Sequence, residues 1–375
     1  MALTLNGTDG VTFNDTSLQG AAASPYVLKN RIINGAMQID QRNAGASYAQ
    51  INNQYNLDRW KGFSYTGSAV IGKYTVQQNA GAVTPPVGFV NYLGVTSSAT
   101  TADAATNIFG VAQSIEGLNV ADFGWGTANA VTVTVSFWVR SSLTGTFGGA
   151  IQNSAGNRAY PFTYTISSAN TWEQKSITIA GDTSGTWLTT NGTGLLIIFS
   201  FGVGSTYSAS AGSWAAGNYY SATGATSVVG TNGATFYITG VQLEQNTSAT
   251  PFERRLYGQE LINCQRYYAK SYAQGTVPGA STSVGLSGQS SGGGGTYTDL
   301  LTVTLPVIMR TTVTVSFWDN AGNSSKIVRL IANNGTTNST GDSAFVSDRA
   351  FCLFGSSGVA NANGLYAHWV ASAEL

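Results

Sequence analysis

Apolar and polar residues alternate with a period of two along much of this chain. The clearest run is 131–139, VTVTVSFWV, which places valine and phenylalanine on one face and threonine, serine and tryptophan on the other. This alternation is typical of a half-buried β-strand. Because Gly, Asn, Ser and Asp cluster between such runs, the pattern predicts an all-β fold, with an antiparallel sandwich over residues 30–251. The further runs lie at 69–76, 160–166, 176–180 and 235–243.

Residues 252–272, FERRLYGQELINCQRYYAKSY, break this alternation. Tyr257, Leu261, Cys264 and Tyr268 are spaced by four, three and four residues, which predicts one face of a helix of about four turns. This face either packs on a sheet of the same chain or joins copies of the chain in a short bundle. We favour the second interpretation and take these four as candidate oligomerisation residues. Residues 273–375 then resume the β pattern as a second, smaller domain.

One heptapeptide occurs twice in the chain. Residues 132–138 and residues 312–318 both read TVTVSFW. The repeat indicates either a duplicated sandwich or two strands that obey the same alternation in a chain rich in Thr and Val. No wider periodicity accompanies the match, so we favour the second interpretation.

Charged residues make up only 9% of the 375 residues, against roughly 25% in an ordinary soluble domain. Lys and Arg number 17 and Asp and Glu number 17, so the formal net charge is zero. Without a basic excess to neutralise phosphates, nucleic acid is not an expected partner. The longest apolar runs, such as 195–199, are too short to span a bilayer, and no signal peptide is recognisable. We therefore expect no membrane insertion.

The sequence contains no recognisable catalytic or metal-binding motif. The segment Thr183–Leu243 has no Asp, Glu, Lys, Arg or His, and the acids elsewhere are scattered. His368 is the single histidine and is interpreted as structural, while Cys264 and Cys352 are interpreted as buried free thiols. We therefore expect no enzymatic activity, no cofactor and no metal.

The charge-free segment contains a stretch of aromatic residues among small ones. Tyr207, Trp214, Tyr219 and Tyr220 are separated by Ser, Ala, Gly and Asn, with no apolar period. Rings flanked by small polar residues are typical of recognition loops, and sugars can stack on rings while Asn and Ser bond their hydroxyls. These four are candidate glycan-binding residues. The alternative is that they cover the end of the sandwich or fill a seam between chains.

The segment 56–61, NLDRWK, brings opposite charges together just before the first strands of the sandwich. Asp58 and Arg59 either form a buried, hydrogen-bonded corner or Asp58 helps to bind a structural Ca²⁺. Because no other acids cluster nearby, we favour the corner.

Several segments resemble bacteriophage tail fibre proteins in their order along the chain. They are 30–42 (NRIINGAMQIDQR), 57–60 (LDRW), 238–244 (ITGVQLE), 251–255 (PFERR) and 259–268 (QELINCQRYY). The run 238–244 is similar to the last strand of jelly-roll domains like those of carbohydrate-binding modules. The opening residues 3–8 (LTLNGT) and 11–13 (VTF) resemble the segment that attaches such fibres to the virion.

The resemblance implies a homotrimeric fibre assembled in the bacterial cytoplasm and carried on the virion tail. Residues 1–29 would attach to phage tail or baseplate proteins, 30–251 would form a jelly roll, 252–272 a helical connector, and 273–375 a receptor-binding β domain. Because the distal domain of a fibre meets the cell first, its polar and aromatic residues are a second set of candidate glycan contacts. That set is Trp318, Asp319, Tyr366 and Trp369.

The sequence therefore favours a phage tail fibre that binds host polysaccharide or lipopolysaccharide without cleaving it. Two alternatives remain at this point. A structural collar or baseplate protein would use the aromatic loop for packing between subunits. A tailspike-type depolymerase would need two carboxylates converging on a sugar.

Overall fold

The structure is a computed structural model, and it describes residues 4–6, 10–12, 18–19, 29–70, 72–98, 100–101, 104–290, 300–331, 335–355 and 362–375. Most of the predicted virion-attachment segment, residues 1–29, lies outside the described residues. Its described residues form a three-stranded antiparallel sheet of β1 (Thr4–Asn6), β2 (Gly10–Thr12) and β3 (Leu18–Gln19).

Two six-stranded antiparallel sheets face each other in the first domain. Sheet I runs, in spatial order, β13 (Glu173–Ile179), β10 (Val133–Ser141), β17 (Thr235–Glu244), β8 (Leu93–Ser97), β7 (Tyr74–Gln78) and β4 (Tyr48–Ala49). Sheet II runs β12 (Ala159–Ile166), β11 (Gly145–Asn153), β14 (Thr193–Val203), β9 (Asn107–Glu116), β6 (Trp60–Thr66) and β5 (Gln54–Leu57). The predicted all-β, antiparallel, jelly-roll-like sandwich is confirmed.

The apolar face that the alternation assigns to β10 is the face that packs in the core. Val133, Val135 and Phe137 are completely buried, and the ring of Phe137 meets that of Phe199 on β14 edge-on at 4.9 Å. Burying each such side chain contributes about 2 kcal/mol. The space between the sheets is therefore filled by the residues that the period of two selects.

The connections carry little further regular structure. A parallel pair, β15 (Ser208–Ala209) and β16 (Ser221–Ala222), lies within the long connection from β14 to β17. Short 3₁₀ turns occur at Ala80–Ala82, Gly117–Asn119, Ala121–Phe123 and Ser205–Tyr207.

The connector helix is shorter than the spacing predicts. Helix α1 spans Tyr257–Gln265, and the chain then enters strand β18 (Tyr268–Lys270). Cys264 and Tyr268 are buried, whereas Tyr257 is 51% exposed and Leu261 is half-buried. The predicted single four-turn face is therefore wrong, because the chain after Gln265 pairs with a strand instead of continuing the helix. Both cysteines are buried and free, as expected.

The second domain is a separate eight-stranded sheet with its own core. Strand β25 (Ala362–Ser372) pairs with four other strands of this sheet. They are β18, β19 (Ser287–Ser290), β21 (Thr314–Trp318) and β22 (Lys326–Ile331). The sheet is completed by β23 (Gly335–Ala344), β24 (Ala350–Gly355) and β20 (Leu300–Thr304). In the described part of the chain, no helix is long and apolar enough to cross a membrane.

The two copies of TVTVSFW occupy different environments. The first copy falls in β10, in the interior of sheet I, where Val133–Phe137 are all buried. The second copy falls in β21, which pairs with β25 and has only Phe317 buried. The same heptapeptide therefore supports two strands that differ in depth, in agreement with a shared strand pattern.

A buried ion pair joins the two domains. Arg59, which lies between β5 and β6, is 1% exposed and pairs with Glu374, beyond β25. Arg42 contacts the second carboxylate oxygen of Glu374 at 2.5 Å. Arg59 also donates to the carbonyl of Ser114 at 2.5 Å, and its guanidinium lies 3.6 Å from the ring centre of Tyr267.

Asp58 takes part in the buried corner that the sequence favours over a calcium site. Its two carboxylate oxygens accept hydrogen bonds from the backbone N–H and the side-chain amide of Gln41, both at 2.7 Å. Asp58 does not pair with Arg59, which points to Glu374 instead. Burial raises the pKa of Asp58 from 3.8 to about 6, against the opposing effects of Arg42 and the Gln41 hydrogen bonds.

We expect Glu374→Gln to lower the free energy of unfolding by about 3 kcal/mol, because it leaves the Arg59 charge enclosed without a counter-charge. Denaturant unfolding measures this loss. Asp122→Asn is the matched control, since Asp122 pairs with Arg31 at 2.5 Å but its side chain is 41% exposed. The control should cost less than about 1 kcal/mol. Equal losses of unfolding free energy in Glu374→Gln and Asp122→Asn would contradict a stabilising role of the buried pair between Arg59 and Glu374.

We expect Asp58 to give a pH-dependent contribution to stability. A carboxyl group whose pKa is higher in the folded than in the unfolded chain stabilises the fold when protonated and loses that contribution as the pH rises from about 4 to about 7. The shift corresponds to about 3 kcal/mol. The unfolding free energy of the wild type minus that of Asp58→Asn should fall by this amount over the window. If this difference in unfolding free energy does not change with pH, the pKa of Asp58 is not raised in the folded protein.

Candidate glycan-binding site

The long connection from β14 to β17 lies across the outer face of sheet II. Gly212 N–H donates to the carbonyl of Pro161 at 2.9 Å, and Ala215 pairs with Ala159 in an antiparallel bridge, so the connection follows strand β12. The chain returns over β11 and β14, where the hydroxyls of Ser221 and Ser200 lie 2.7 Å apart. This path determines where the predicted aromatic residues lie.

Two of the four predicted rings meet on that outer face. Tyr207 and Tyr220 are 5.9 Å apart, ring centre to ring centre, in an edge-on contact, and Tyr220 meets Phe63 of β6 at 5.3 Å. Tyr65 and Leu196 pack on the same apolar cluster and, like Tyr207 and Tyr220, remain half-buried. We call Tyr65, Leu196, Tyr207 and Tyr220 the tyrosine patch.

The patch rests on sheet II through the residues that alternate with the core. Phe199 and Ile197 of β14 point into the sandwich, so Ile198 and Leu196 point outward. Ala150 and Ala112 on the neighbouring strands are also buried in the outer cluster. The rings therefore sit on a rigid sheet instead of on a loop alone.

Amide groups border the patch on one side. Gln152 on β11 donates to the side-chain oxygen of Asn218 at 2.6 Å, and Asn218 is exposed. Burial raises the pKa of Tyr220, and a hydrogen bond from Asn218 opposes the rise. The tyrosine hydroxyl therefore stays protonated at neutral pH, next to an amide that can also bond a ligand hydroxyl.

Lys61 is the charged residue at the opposite border. Its ammonium lies 6.0 Å from the ring centre of Phe63 and donates to the carbonyl of Leu375 at 3.2 Å. Burial, and after it the charge of Arg59, lowers the pKa of Lys61 to about 8. The patch itself contains no ionisable group other than its tyrosine hydroxyls.

Trp214 does not join the patch but anchors the connection at the sandwich edge. Its indole meets those of Trp125 and Trp187 at 5.2 and 5.4 Å and the ring of Tyr160 at 5.2 Å. Its N–H donates to the carbonyl of Ala180 at 2.8 Å. With its N–H bonded and its ring packed, Trp214 serves to hold the connection in place.

An ion pair between a half-buried arginine and a buried aspartate fixes this indole cluster. Arg158 binds Asp182 through two hydrogen bonds of 2.7 Å, and Asp182 also accepts the indole N–H of Trp187 at 3.2 Å. A bidentate pair of this kind fixes the orientation of the two side chains as well as their distance. Beside the cluster, a cleft of about 150 Å³ lies between the Ala121–Phe123 turn and Trp187–Leu188.

Tyr219, the fourth predicted aromatic residue, is half-buried and lies against Gly217, next to Tyr220 in sequence.

The sequence did not predict four residues that belong to the site or support it. They are Phe63, Tyr65, Gln152 and Leu196. Three of these are apolar or aromatic residues on strands and cannot be told from core residues by type. The alternation could not have pointed to them either, because Phe63 and Tyr65 alternate with Gly62 and Ser64 as core residues would.

The structure does not bring the C-terminal candidate residues together as an exposed site. Asp319 is completely buried and accepts hydrogen bonds from Ala321, Asn323 and Asn338, so it holds a turn. Trp369 is 6% exposed, and its ring packs edge-on against Phe351 in the second core.

Trp318 and Tyr366 are half-buried. Trp318 meets the ring of Tyr272 at 6.2 Å. The ring of Tyr366 lies over Gly288, where any larger side chain would collide with it. Trp318 and Tyr366 keep part of their rings on the surface, whereas the side chains of Asp319 and Trp369 are buried.

His368 is completely buried and its partners define its role. Its ring stacks on Tyr272 at 3.8 Å, its Nε2 lies 3.0 Å from the carbonyl of Thr282, and its Nδ1 lies 3.1 Å from the hydroxyl of Ser271. Burial lowers its pKa. Among the described residues, no group of three or more His, Cys, Asp or Glu side chains is placed to hold a metal ion.

We expect Trp214→Ala to release the connection and lower the unfolding free energy by about 2–3 kcal/mol, since a large, partly buried ring is lost. Limited proteolysis should then cut within residues 204–222. Trp318→Ala is the control, because it removes a half-buried indole from the other domain. If the connection is equally protected in wild type and Trp214→Ala, Trp214 is not its anchor.

A scan of the sequence against protein-family models finds no match, and a search of curated proteins finds none either. Among solved structures, the enzymatically active domain of bacteriophage CBA120 tailspike protein 4 is 14% identical with a TM-score of 0.31. The match covers 60% of this chain but only 22% of the chain of that tailspike domain.

Two carbohydrate-binding modules are also similar in part. The family 11 module from Clostridium thermocellum, in complex with a β-1,3-1,4-mixed-linked tetrasaccharide, is 13% identical with a TM-score of 0.27, covering 54% of this chain and 98% of the module. TmCBM61, in complex with β-1,4-galactotriose, is 11% identical with a TM-score of 0.29, covering 58% and 100%. Similarity at this level establishes no common ligand.

Proposed function

We propose that this protein binds a neutral glycan on the tyrosine patch without cleaving it. The observation that carries the proposal is the convergence of Tyr207 and Tyr220 with Tyr65 and Leu196 on the outer face of sheet II, beside the amides of Gln152 and Asn218. Ring faces accept the C–H faces of sugars, and amides bond their hydroxyls. An uncharged patch suits an uncharged ligand.

A few partly exposed rings give weak binding in a single chain. Useful attachment therefore needs several copies, which raise the overall affinity without new contacts. A homotrimeric fibre would supply three patches. The exposed side chains of Leu256, Tyr257 and Ile262 at helix α1 are candidates for contacts between copies, since they offer apolar surface to a partner.

The biological role that we propose is host adsorption as part of a phage tail fibre. The support is the ordered resemblance of residues 30–42, 57–60, 238–244, 251–255 and 259–268 to such fibres. In this role residues 1–29 attach to tail or baseplate proteins, and the receptor is host surface polysaccharide or lipopolysaccharide. The molar mass of the purified protein tests the assembly, and a monomer would contradict it.

A structural collar or baseplate protein is the second candidate. The edge-on contact of Tyr220 with the buried ring of Phe63 favours it, since that contact gives Tyr220 a packing role without any ligand. Full assembly into particles together with no binding to host cells would favour this alternative. Release of reducing ends from host polysaccharide would instead favour a depolymerase.

We expect Tyr207→Ala and Tyr220→Ala each to weaken binding to host cells or to purified host glycan about tenfold, the effect of losing about 1.4 kcal/mol of stacking. Tyr220→Phe keeps the ring and should lose less. Binding should change little between low and physiological salt, because the patch is uncharged. Glycan arrays and cell adsorption measure these effects.

Trp318→Ala and Tyr366→Ala are the matched controls, since both remove half-buried rings from the second domain. Binding that is lost in these variants and kept in the Tyr207 and Tyr220 variants would move the site to the second domain. Point substitutions are needed here, because deleting the second domain also removes Glu374, the buried partner of Arg59.

A further inference from the structure

A polar pocket lies where the sandwich meets the connector helix. It encloses about 120 Å³, and its lining comes from the stretches 30–38 and 252–255 and from Glu260 of helix α1. Its lining residues differ from those of the tyrosine patch. The volume is about that of four water molecules, which is enough for a carboxylate group and the carbon atoms next to it.

The acids of this pocket are enclosed and bound to groups of the protein. Glu253 and Glu260 both accept hydrogen bonds from Arg255, at 3.1 and 3.3 Å. Glu260 also accepts the backbone N–H of Asn34, and Glu253 accepts that of Asn30 at 3.0 Å. The three charged side chains are at most 13% exposed. These two carboxylates therefore face the adjacent guanidinium and the backbone, and they form a wall of the pocket.

Arg254 is the charged lining residue that reaches the solvent, since it is exposed. Its guanidinium carbon lies 4.7 Å from the ring centre of Phe89 and 5.8 Å from that of Phe252. One of its terminal nitrogens lies so close to Gly88 that a Cβ atom there would come within 2.5 Å of it. The rings and the glycine hold the guanidinium in place, and its exposed edge can still donate to a ligand.

Lys29, which precedes the pocket residue Asn30, adds a second positive charge. Its ammonium donates to the hydroxyl of Thr250 and, at 2.9 Å, to the carbonyl of Pro251. Because the two glutamates of the pocket bind an enclosed arginine of their own, the charge at the mouth of the pocket is positive. A positive mouth favours a negatively charged ligand.

A turn beside the pocket holds two aliphatic side chains in the solvent. Val87 is fully exposed and Val90 is 68% exposed. Phe89 between them is buried and fixes the turn, because its N–H donates to the carbonyl of Pro86 at 3.0 Å and its ring lies against Gly240. Exposed apolar side chains next to an exposed arginine are typical of protein interfaces, and a surface with a fixed shape loses little freedom on binding.

We propose that this surface binds a segment of a partner protein that carries an acidic side chain next to an aliphatic one. The carboxylate enters the pocket and accepts two parallel hydrogen bonds from Arg254. The aliphatic side chain covers Val87 and Val90 and removes their apolar surface from water. The tyrosine patch takes no part in this contact, so either site can fail without affecting the other.

A polysaccharide with acidic sugars carries the same charge but suits this surface less well. The rings of Phe89 and Phe252, on which a sugar would stack, already lie under the guanidinium of Arg254. The apolar surface that remains is aliphatic, and aliphatic side chains of a protein bury it more completely than hydroxylated rings do.

The test selects binders to the full-length protein from an mRNA-displayed library of random dodecapeptides. The enriched peptides should carry Asp or Glu next to Val, Leu or Ile. A synthetic peptide of the enriched sequence should bind Arg254→Ala at least about tenfold more weakly than wild type, because the charged pair is lost. The same peptide with its acid replaced by the amide should lose as much on wild type. Arg254→Lys, which keeps the charge but not the fork, should lose less than Arg254→Ala.

Arg349→Ala is the matched control, because Arg349 is an exposed arginine of the second domain. It should bind the peptide as wild type does, whereas Val87→Ser should bind it more weakly. The proposal is overturned if Arg254→Ala keeps the wild-type affinity for every selected peptide. It is also overturned if an oligogalacturonate binds wild type more tightly than these peptides, which would make the surface a site for acidic polysaccharide. A lower molar mass of the Arg254→Ala assembly would overturn it as well, since the surface would then be a contact between copies.

Discussion

The ion pair between Arg59 and Glu374 determines how the two β domains meet. Arg59 has a φ of 71°, which side chains seldom adopt, and this backbone conformation directs its guanidinium into the junction. A charge that is sealed from water requires its partner in one place, so the end of the second sheet is fixed on the outer side of β5 and β6. Arg266, which binds Glu116 through two hydrogen bonds of 2.9 and 2.5 Å, adds a second charged contact to the same junction.

This placement of charge explains the composition of the rest of the molecule. Three of the ion pairs among the described residues, Arg42–Glu374, Arg59–Glu374 and Arg266–Glu116, lie at the junction, where strong, directional contacts are needed. The outer face of sheet II is left to tyrosines, amides and small residues, which can meet a neutral ligand without removing water from ions. The rings stay in position because Trp214 fastens the connection from the side, in a cluster that Arg158 and Asp182 hold.

The sequence predicts those parts of the fold that depend on local pattern. The alternation in 131–139 identifies β10 and its buried face correctly, because burial on one side of a strand constrains every second residue. The 4-3-4 spacing at 257–268 fails, because the pairing of Tyr268 with β25 overrides the helical pattern. The aromatic loop is identified as a group, but its division into a patch and an anchor depends on Ala180 and Trp125, which are distant in sequence.

The position of β25 in the second sheet has a consequence for how the chain folds during synthesis. Strands β18, β19, β21 and β22 all pair with β25 and all precede it, so they leave the ribosome before their partner exists. The sandwich can close earlier, because all twelve of its strands lie before residue 245. Until the final strand arrives, the edges of its four partners stay open to neighbouring chains. A chain released before that strand is made would therefore offer four incompletely paired strands to other unfolded chains.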